Sequence, residues 1–156
     1  MTRDAMPFEI VTLRERPEFV SVVRDRLWHA WWQDEGETLD ALDAAISECL
    51  DADAIPTTFV AVAGNAFLGT VSLIFNDMAE RPQYSPWVAA LWVDESHRKL
   101  GLGARLSDHA LEKGFEAGAS AVYLYATHDN APFYRKHGWQ TVEPDVNGHE
   151  VFARYR

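Results

Sequence analysis

An apolar run of strand length, residues 87–93, passes through a polar connection into Arg98-Lys99-Leu100-Gly101-Leu102-Gly103-Ala104-Arg105. From Gly103 onward Leu106, Ala110 and Leu111 recur at helical spacing. A strand that hands over to a helix through a glycine loop commits the middle of the chain to an α/β layer, and no other feature constrains the fold as much. At such a junction backbone N–H groups and the positive helix end converge, which suits a phosphate or pyrophosphate. Gly101 and Gly103 let backbone come close. Arg98, Lys99 and Arg105 put positive charge there in a chain whose 14 Lys+Arg against 24 Asp+Glu give a formal net charge of -10. A tight turn solvated by basic neighbours has the same sequence, so the loop alone leaves both readings open. Leu106 stands where a dinucleotide fingerprint needs its third glycine, and no Gly-Lys-Ser/Thr follows for a nucleoside-triphosphate loop.

The flanking periodicities fill in the rest. Residues 8–13 read as a strand, and Pro17 opens a helix with Phe19, Val20, Val23, Leu27 and Trp31 on one side until Asp34-Glu35-Gly36 breaks it. Thr38 caps a second helix, in which Leu39, Leu42, Ile46 and Cys49/Leu50 keep the period up to Ile55-Pro56. Residues 57–63 and 66–75 form a hairpin around Gly64-Asn65, and a polar loop runs over 76–86. After the helix at 103–117, ended by Gly118, residues 121–126 are another buried strand. Thr127-His128-Asp129-Asn130 then leads into a short helix closed by Gly138. A last hairpin pairs 139–143 with 149–155 across a loop containing Pro144 and Asn147-Gly148. The order predicts one α/β domain over residues 1–156, a mixed sheet with helices packed on its faces.

Composition narrows the function classes. With 156 residues, 47% of them hydrophobic, the chain can bury a core without disulfide or metal staples. Cys49 stands alone and no Cys/His cluster has metal-ligand spacing, so a reducing compartment and no metal are expected. The acidic balance lacks the basic footprint of a nucleic-acid binder. Residues 59–75, the most membrane-like stretch, are short and broken by Gly64-Asn65, and residues 1–11 carry Asp4 and Glu9 and no apolar run of a leader. These features predict a cytoplasmic protein with no membrane and no nucleic acid as partner.

Two motifs point further. Arg98-x-x-Gly101-x-Gly103, placed after Leu91-Trp92-Val93, resembles the acetyl-CoA pyrophosphate motif of the GNAT N-acetyltransferases. Asn130-Ala131-Pro132-Phe133-Tyr134-Arg135-Lys136-His137-Gly138-Trp139 is similar to that family's second signature, an aromatic pair ending in Tyr four residues before a Gly-aromatic step. The element order fits the family from near the start to the C-terminus. The resemblance implies a mixed, mostly antiparallel sheet of about seven strands with helices on both faces, splayed between the strands at 87–93 and 121–126. It implies acetyl-CoA as cosubstrate and no metal, with the pantetheine arm on Leu91, Trp92 and Val93. The pyrophosphate would lie on Arg98, Lys99, Leu100, Gly101, Leu102, Gly103, Ala104 and Arg105.

The implied reaction is direct attack of a primary amine on the thioester in a ternary complex. The Val93 N–H would stabilise the oxyanion, Tyr134 would act as general acid toward the leaving thiolate, and Phe133 would be core or cofactor wall. Family members often carry Asn seven residues before the tyrosine. Here Thr127 stands there and Asn130 lies four before, so the two share the pantetheine contact or cap the next helix. Trp87 occupies the position where the family's protein-lysine acetyltransferases have Glu, so that mechanism is not implied. Asp77, Glu80 and His128 are the candidate general bases, and His128-Asp129 is no dyad because neighbours on an extended segment point to opposite faces. Trp28, Trp31 and Trp32, with Tyr84 and Trp87, are candidates for the acceptor wall. The acceptor would be a small-molecule amine or a peptide N-terminus. An acyl-CoA-binding sensor or interaction module without turnover is the competing expectation, and a homodimer is expected from the resemblance alone.

Overall fold

The computed structural model describes residues 7–51, 54–98 and 100–156, so Lys99 and the first part of the leader reading lie outside the described residues. The elements are β1 (Glu9–Thr12), α1 (Val20–Leu27), α2 (Leu39–Asp51), β2 (Thr57–Ala63), β3 (Ala66–Ile74), β4 (Trp87–Val93), α3 (Leu102–Glu116), β5 (Ala121–Thr127), α4 (Ala131–Lys136), β6 (Gln140–Val146) and β7 (His149–Tyr155). The seven strands form one sheet in the order β1-β2-β3-β4-β5-β7-β6. Every pairing is antiparallel except β4 with β5.

Strand alternation sorts the core into two layers. On β2, Phe59 and Ala61 join Leu106, Ala110 and Leu111 of α3, whereas Val60 and Val62 join Val23 and Leu27 of α1 and Leu42 and Ile46 of α2. Helices therefore cover both faces, and β2 is buried nearly throughout, as a doubly covered strand must be. A third cluster, Met78, Trp87, Val146 and Val151, fastens the 75–86 loop to the β5–β7 side.

The sheet is irregular where β4 passes the middle. Thr70 faces Trp92 but Ser72 faces Ala89, so Ala90 and Leu91 oppose Val71 alone, and Ala90 takes φ 54. This bulge bends β4. β4 meets β5 only at Trp87↔Tyr123, and the two strands splay beyond it, as expected for residues 87–93 and 121–126. Gly69 lies against the same stretch: a Cβ there would stand 2.8 Å from the Trp92 carbonyl oxygen and 3.0 Å from Leu106 Cδ1. Because a backbone carbonyl cannot yield as a flexible side chain can, Gly69→Ala should cost about 1–3 kcal/mol, read as a lower urea midpoint at unchanged slope.

The structure corrects two readings. The first helix is not continuous: a 3-10 turn at Pro17–Phe19 precedes α1, and a π segment at Trp28–Trp32 follows it. The last hairpin has a longer first arm, since β6 continues through Pro144 to Val146, with two register shifts on the way. β6 is an edge strand, where a missing N–H is tolerated. The turn shrinks to Asn147 and Gly148, both at positive φ.

Candidate active site

The splayed ends of β4 and β5 form a cleft closed at one side by the start of α3. Asp94 N–H donates to Leu68 O at 2.9 Å, so antiparallel alternation turns the N–H and C=O of Val93 away from β3 and toward the gap. The Val93 carbonyl accepts from Arg98 Nε at 2.8 Å, and the Arg98 guanidinium carbon lies 4.6 Å from the Trp92 ring centroid. Gly101 is the residue before α3 at φ 78, a left-handed conformation that favours glycine, and no side chain caps the helix. Its first-turn N–H groups are left for solvent or an anion. A Cβ on Gly103 would lie 3.7 Å from Phe133, 3.9 Å from Val93 and 4.0 Å from Leu91. The glycine loop, the end of β4 and α4 thus surround one opening.

Of the other loop residues, Leu100 is exposed, while Leu102 is buried and presents backbone only. Arg105 stacks on Phe8 with its guanidinium carbon 5.2 Å from the ring centroid. Asn130 precedes α4 without a side-chain capping bond, and its N–H donates to Thr127 O at 3.0 Å. The capping reading of Asn130 is therefore not realised, and its amide side chain remains available. Tyr134 packs among Phe133 and Phe152, with ring centroids at 5.1 and 6.0 Å, and burial pushes its phenol up to about 12. α4 is held against the sheet by Arg135, whose Nη2 donates to Glu150 Oε1 at 2.6 Å, with Thr141 Oγ1 donating to Glu150 Oε2 at 2.5 Å.

Against the other face of β4 lies a cavity of about 690 Å³. Trp31, Trp32 and Asp77 line it, as do Thr127, Asn130 and the bulged Leu91. The π segment widens the helical turn that carries both tryptophans. Sequence reasoning missed Glu35, Tyr125 and His149, which complete the wall. Burial raises Asp77 from the usual carboxylate value to about 7, and the neighbouring Glu35 charge adds to the shift. Tyr125 is pushed up to about 12 by burial and by the nearby charges of Asp77, Glu35 and Glu80. Cys49 also lines the cavity, and burial raises its thiol, which keeps it protonated and inert near neutrality.

The remaining acceptor candidates stand elsewhere. Trp28 borders a smaller pocket with Ser21, Arg24 and Asp25. Trp87 is fully buried and donates through Nε1 to Tyr84 O at 2.7 Å, while Tyr84 OH donates to Glu143 Oε2 at 2.7 Å. The Asn147 side chain donates to Glu80, and His128 Nε2 lies 3.6 Å from Asp145. None of these five residues lines the larger cavity. Among the described residues no cluster of His, Cys, Asp and Glu could hold a metal, and no helix is long and apolar enough to cross a membrane.

A sheet splayed beside an uncapped glycine-loop helix, with a half-buried tyrosine across the opening, is the architecture of an acetyl-CoA-dependent transferase. The family model described as "Acetyltransferase (GNAT) family" matches residues 20–139, and the chain belongs to that family. No curated protein matches the sequence. Among solved structures, an aminoglycoside 6'-N-acetyltransferase complexed with coenzyme A superposes with a TM-score of 0.72 at 19% identity, covering 94% of this chain and 96% of that one. A GNAT acetyltransferase from Listeria monocytogenes gives 0.68 at 12% identity over 100% and 99%. A spermidine/spermine N-acetyltransferase from Vibrio cholerae gives 0.62 at 18% over 96% and 95%. At these identities the likeness is one of fold.

The chain is accordingly an N-acetyltransferase with acetyl-CoA as cosubstrate. The residues present fit that group: among the described residues no side chain caps α3, no atom crowds Gly101, and the Asn130 amide makes no capping bond.

Proposed function

We propose that the protein acetylates a primary amine of a small cationic molecule, bound in the cavity beside Trp31 and Trp32 and attacking directly in a ternary complex. Asp77 carries this reading. A carboxyl held at about 7 is poised to take a proton from an ammonium group at neutral pH, which an ordinary carboxylate near 4 does poorly. Glu35 and Glu48 line the same cavity, and their charges favour a cation over a neutral or acidic acceptor. A cavity of about 690 Å³ walled by indoles matches the size of a small molecule better than that of an extended peptide. The single cysteine supports a cytoplasmic setting.

Acetyl-CoA supplies an activated thioester carbonyl, and this chain's residues orient and discharge it. Arg98, Gly101, Gly103 and the first turn of α3 hold the anionic end. Leu91, Trp92 and Val93 offer the strand edge, and Thr127 and Asn130 face it from the end of β5. The Val93 N–H points into the gap and can donate to the oxygen on which charge develops. Tyr134 keeps its proton throughout the physiological range and directs a hydrogen bond at the departing sulfur. Full transfer from a phenol near 12 to a thiolate of ordinary thiol pKa, about 8.5, is uphill, so the charge-assisted bond is the larger part of its contribution.

The test is thiol release from acetyl-CoA across a panel of small amines, diamines and peptides with free N-termini. Transfer to small cationic amines with little to peptides is expected. Preference for peptides overturns the acceptor reading, and coenzyme A binding with no transfer to any amine replaces the enzyme by a sensor.

A further inference from the structure

The glycine loop and the Trp31 wall lie on opposite faces of β4, yet one side chain touches both. Leu91 and Val93 pack toward Gly103 of α3. Trp92, between them, points the other way. Its ring meets the Trp31 ring edge-on, with centroids 6.2 Å apart and planes at 90°. Its Nε1 donates to Asp94 Oδ1 at 3.0 Å, and the same carboxylate accepts from Arg26 Nε of α1 at 2.8 Å. The Arg98 guanidinium lies over the Trp92 ring at 4.6 Å while its Nε holds the Val93 carbonyl. The first residue of the glycine-loop motif, the end of the cofactor strand, the last turn of α1 and the acceptor wall therefore share Trp92.

We propose that Trp92 is a positioning residue that links the glycine loop to the acceptor wall, so that filling the coenzyme A cleft steadies residues 28–37. This rests on the reading of the cleft as the coenzyme A site. In the structure Arg98 has two claims on its guanidinium, the Val93 carbonyl and the Trp92 face. An anion drawn to the α3 N–H groups is a third, and it fixes Arg98 and with it the ring on which Trp31 leans. Trp31 is more than one-third exposed, and its ring leans on Trp92 while its flanking Trp28 and Trp32 pack against the core, so the Trp92 contact is the one that ties its ring to β4. The consequence is a thermodynamic coupling: acceptor affinity rises when the cosubstrate is in place, and the cosubstrate is held more tightly when the acceptor is.

Amide hydrogen exchange with free coenzyme A as probe tests this, with the binding isotherm measured separately on the same samples. In the wild type, coenzyme A should slow exchange in the loop at 100–105 and, by about five-fold or more, in residues 28–37. Trp31→Ala, which cuts the Trp92 contact from outside the coenzyme A cleft, should keep the isotherm and the loop protection while losing the protection at 28–37. Trp31→Phe, which keeps an aromatic ring against Trp92, should retain that protection. Protection confined to the loop in the wild type overturns the coupling and leaves the cofactor reading intact, as does protection at 28–37 that survives Trp31→Ala. Failure of the wild type to bind coenzyme A overturns the cofactor reading and the coupling with it.

Discussion

Asp77→Asn is expected to lower kcat/KM for acetyl transfer ~10²–10⁴-fold, the range over which a positioned general base contributes, with coenzyme A affinity unchanged. Asparagine keeps the shape of the side chain and removes only its capacity to take a proton. The same substitution should not weaken the fold. The folded-state pKa of Asp77 is raised to about 7 by burial, so the native state binds its proton more tightly than the unfolded chain does. The stability this contributes is full below the unfolded value of about 4 and is lost as pH rises toward 7. Asn carries no charge at any pH, so the variant should match or exceed the wild type in urea midpoint at pH 8. A variant that is inactive and also unstable at pH 8 would point to misfolding instead of a missing base.

Tyr134→Phe should reduce kcat by ~10²–10³, the loss seen when one preorganised donor to a developing anion is removed. The effect should fall on kcat and not on the acceptor KM, because the hydrogen bond strengthens only as charge builds on sulfur. Burial among Phe133 and Phe152 means that the phenylalanine ring fills the same space, so thermal stability should hardly change. Thiol release under saturating acceptor separates the two constants. A rate within a few-fold of the wild type would remove Tyr134 from the chemistry and leave it as a wall of the cleft.

The residues proposed to hold the cofactor were legible as a group because their signals are local. Arg98, Gly101 and Gly103 sit within one turn of each other, and the left-handed φ of Gly101 and the uncapped start of α3 follow from those residues. Tyr134 likewise stands in a short motif whose helix and closing Gly138 are set by neighbours in sequence. The proposed acceptor cavity is built differently. Asp77 lies in a loop with no periodicity, and its raised pKa is produced by burial and by Glu35 from beyond the π segment, with Tyr125 and His149 arriving on β5 and β7. Glu35 reads in sequence as part of a helix break, and nothing local says that the break faces a cavity. Trp87 misled for the complementary reason: an aromatic residue next to a functional loop looks like a wall, whereas on a strand covered on both sides it is core. The π segment and the passage of β6 through Pro144 escaped for want of a signal, since apolar spacing does not distinguish hydrogen bonds to the fourth residue from bonds to the fifth.

The pH dependence of kcat/KM for the best acceptor, measured in the wild type beside Asp77→Asn, is the decisive test of Asp77 as the general base. An ascending limb with an apparent pKa of about 7 is expected in the wild type and absent in the variant, whose residual rate should rise only as the amine itself deprotonates. A limb near 7 that persists in Asp77→Asn would contradict that role, and would assign the proton to another group in the cavity.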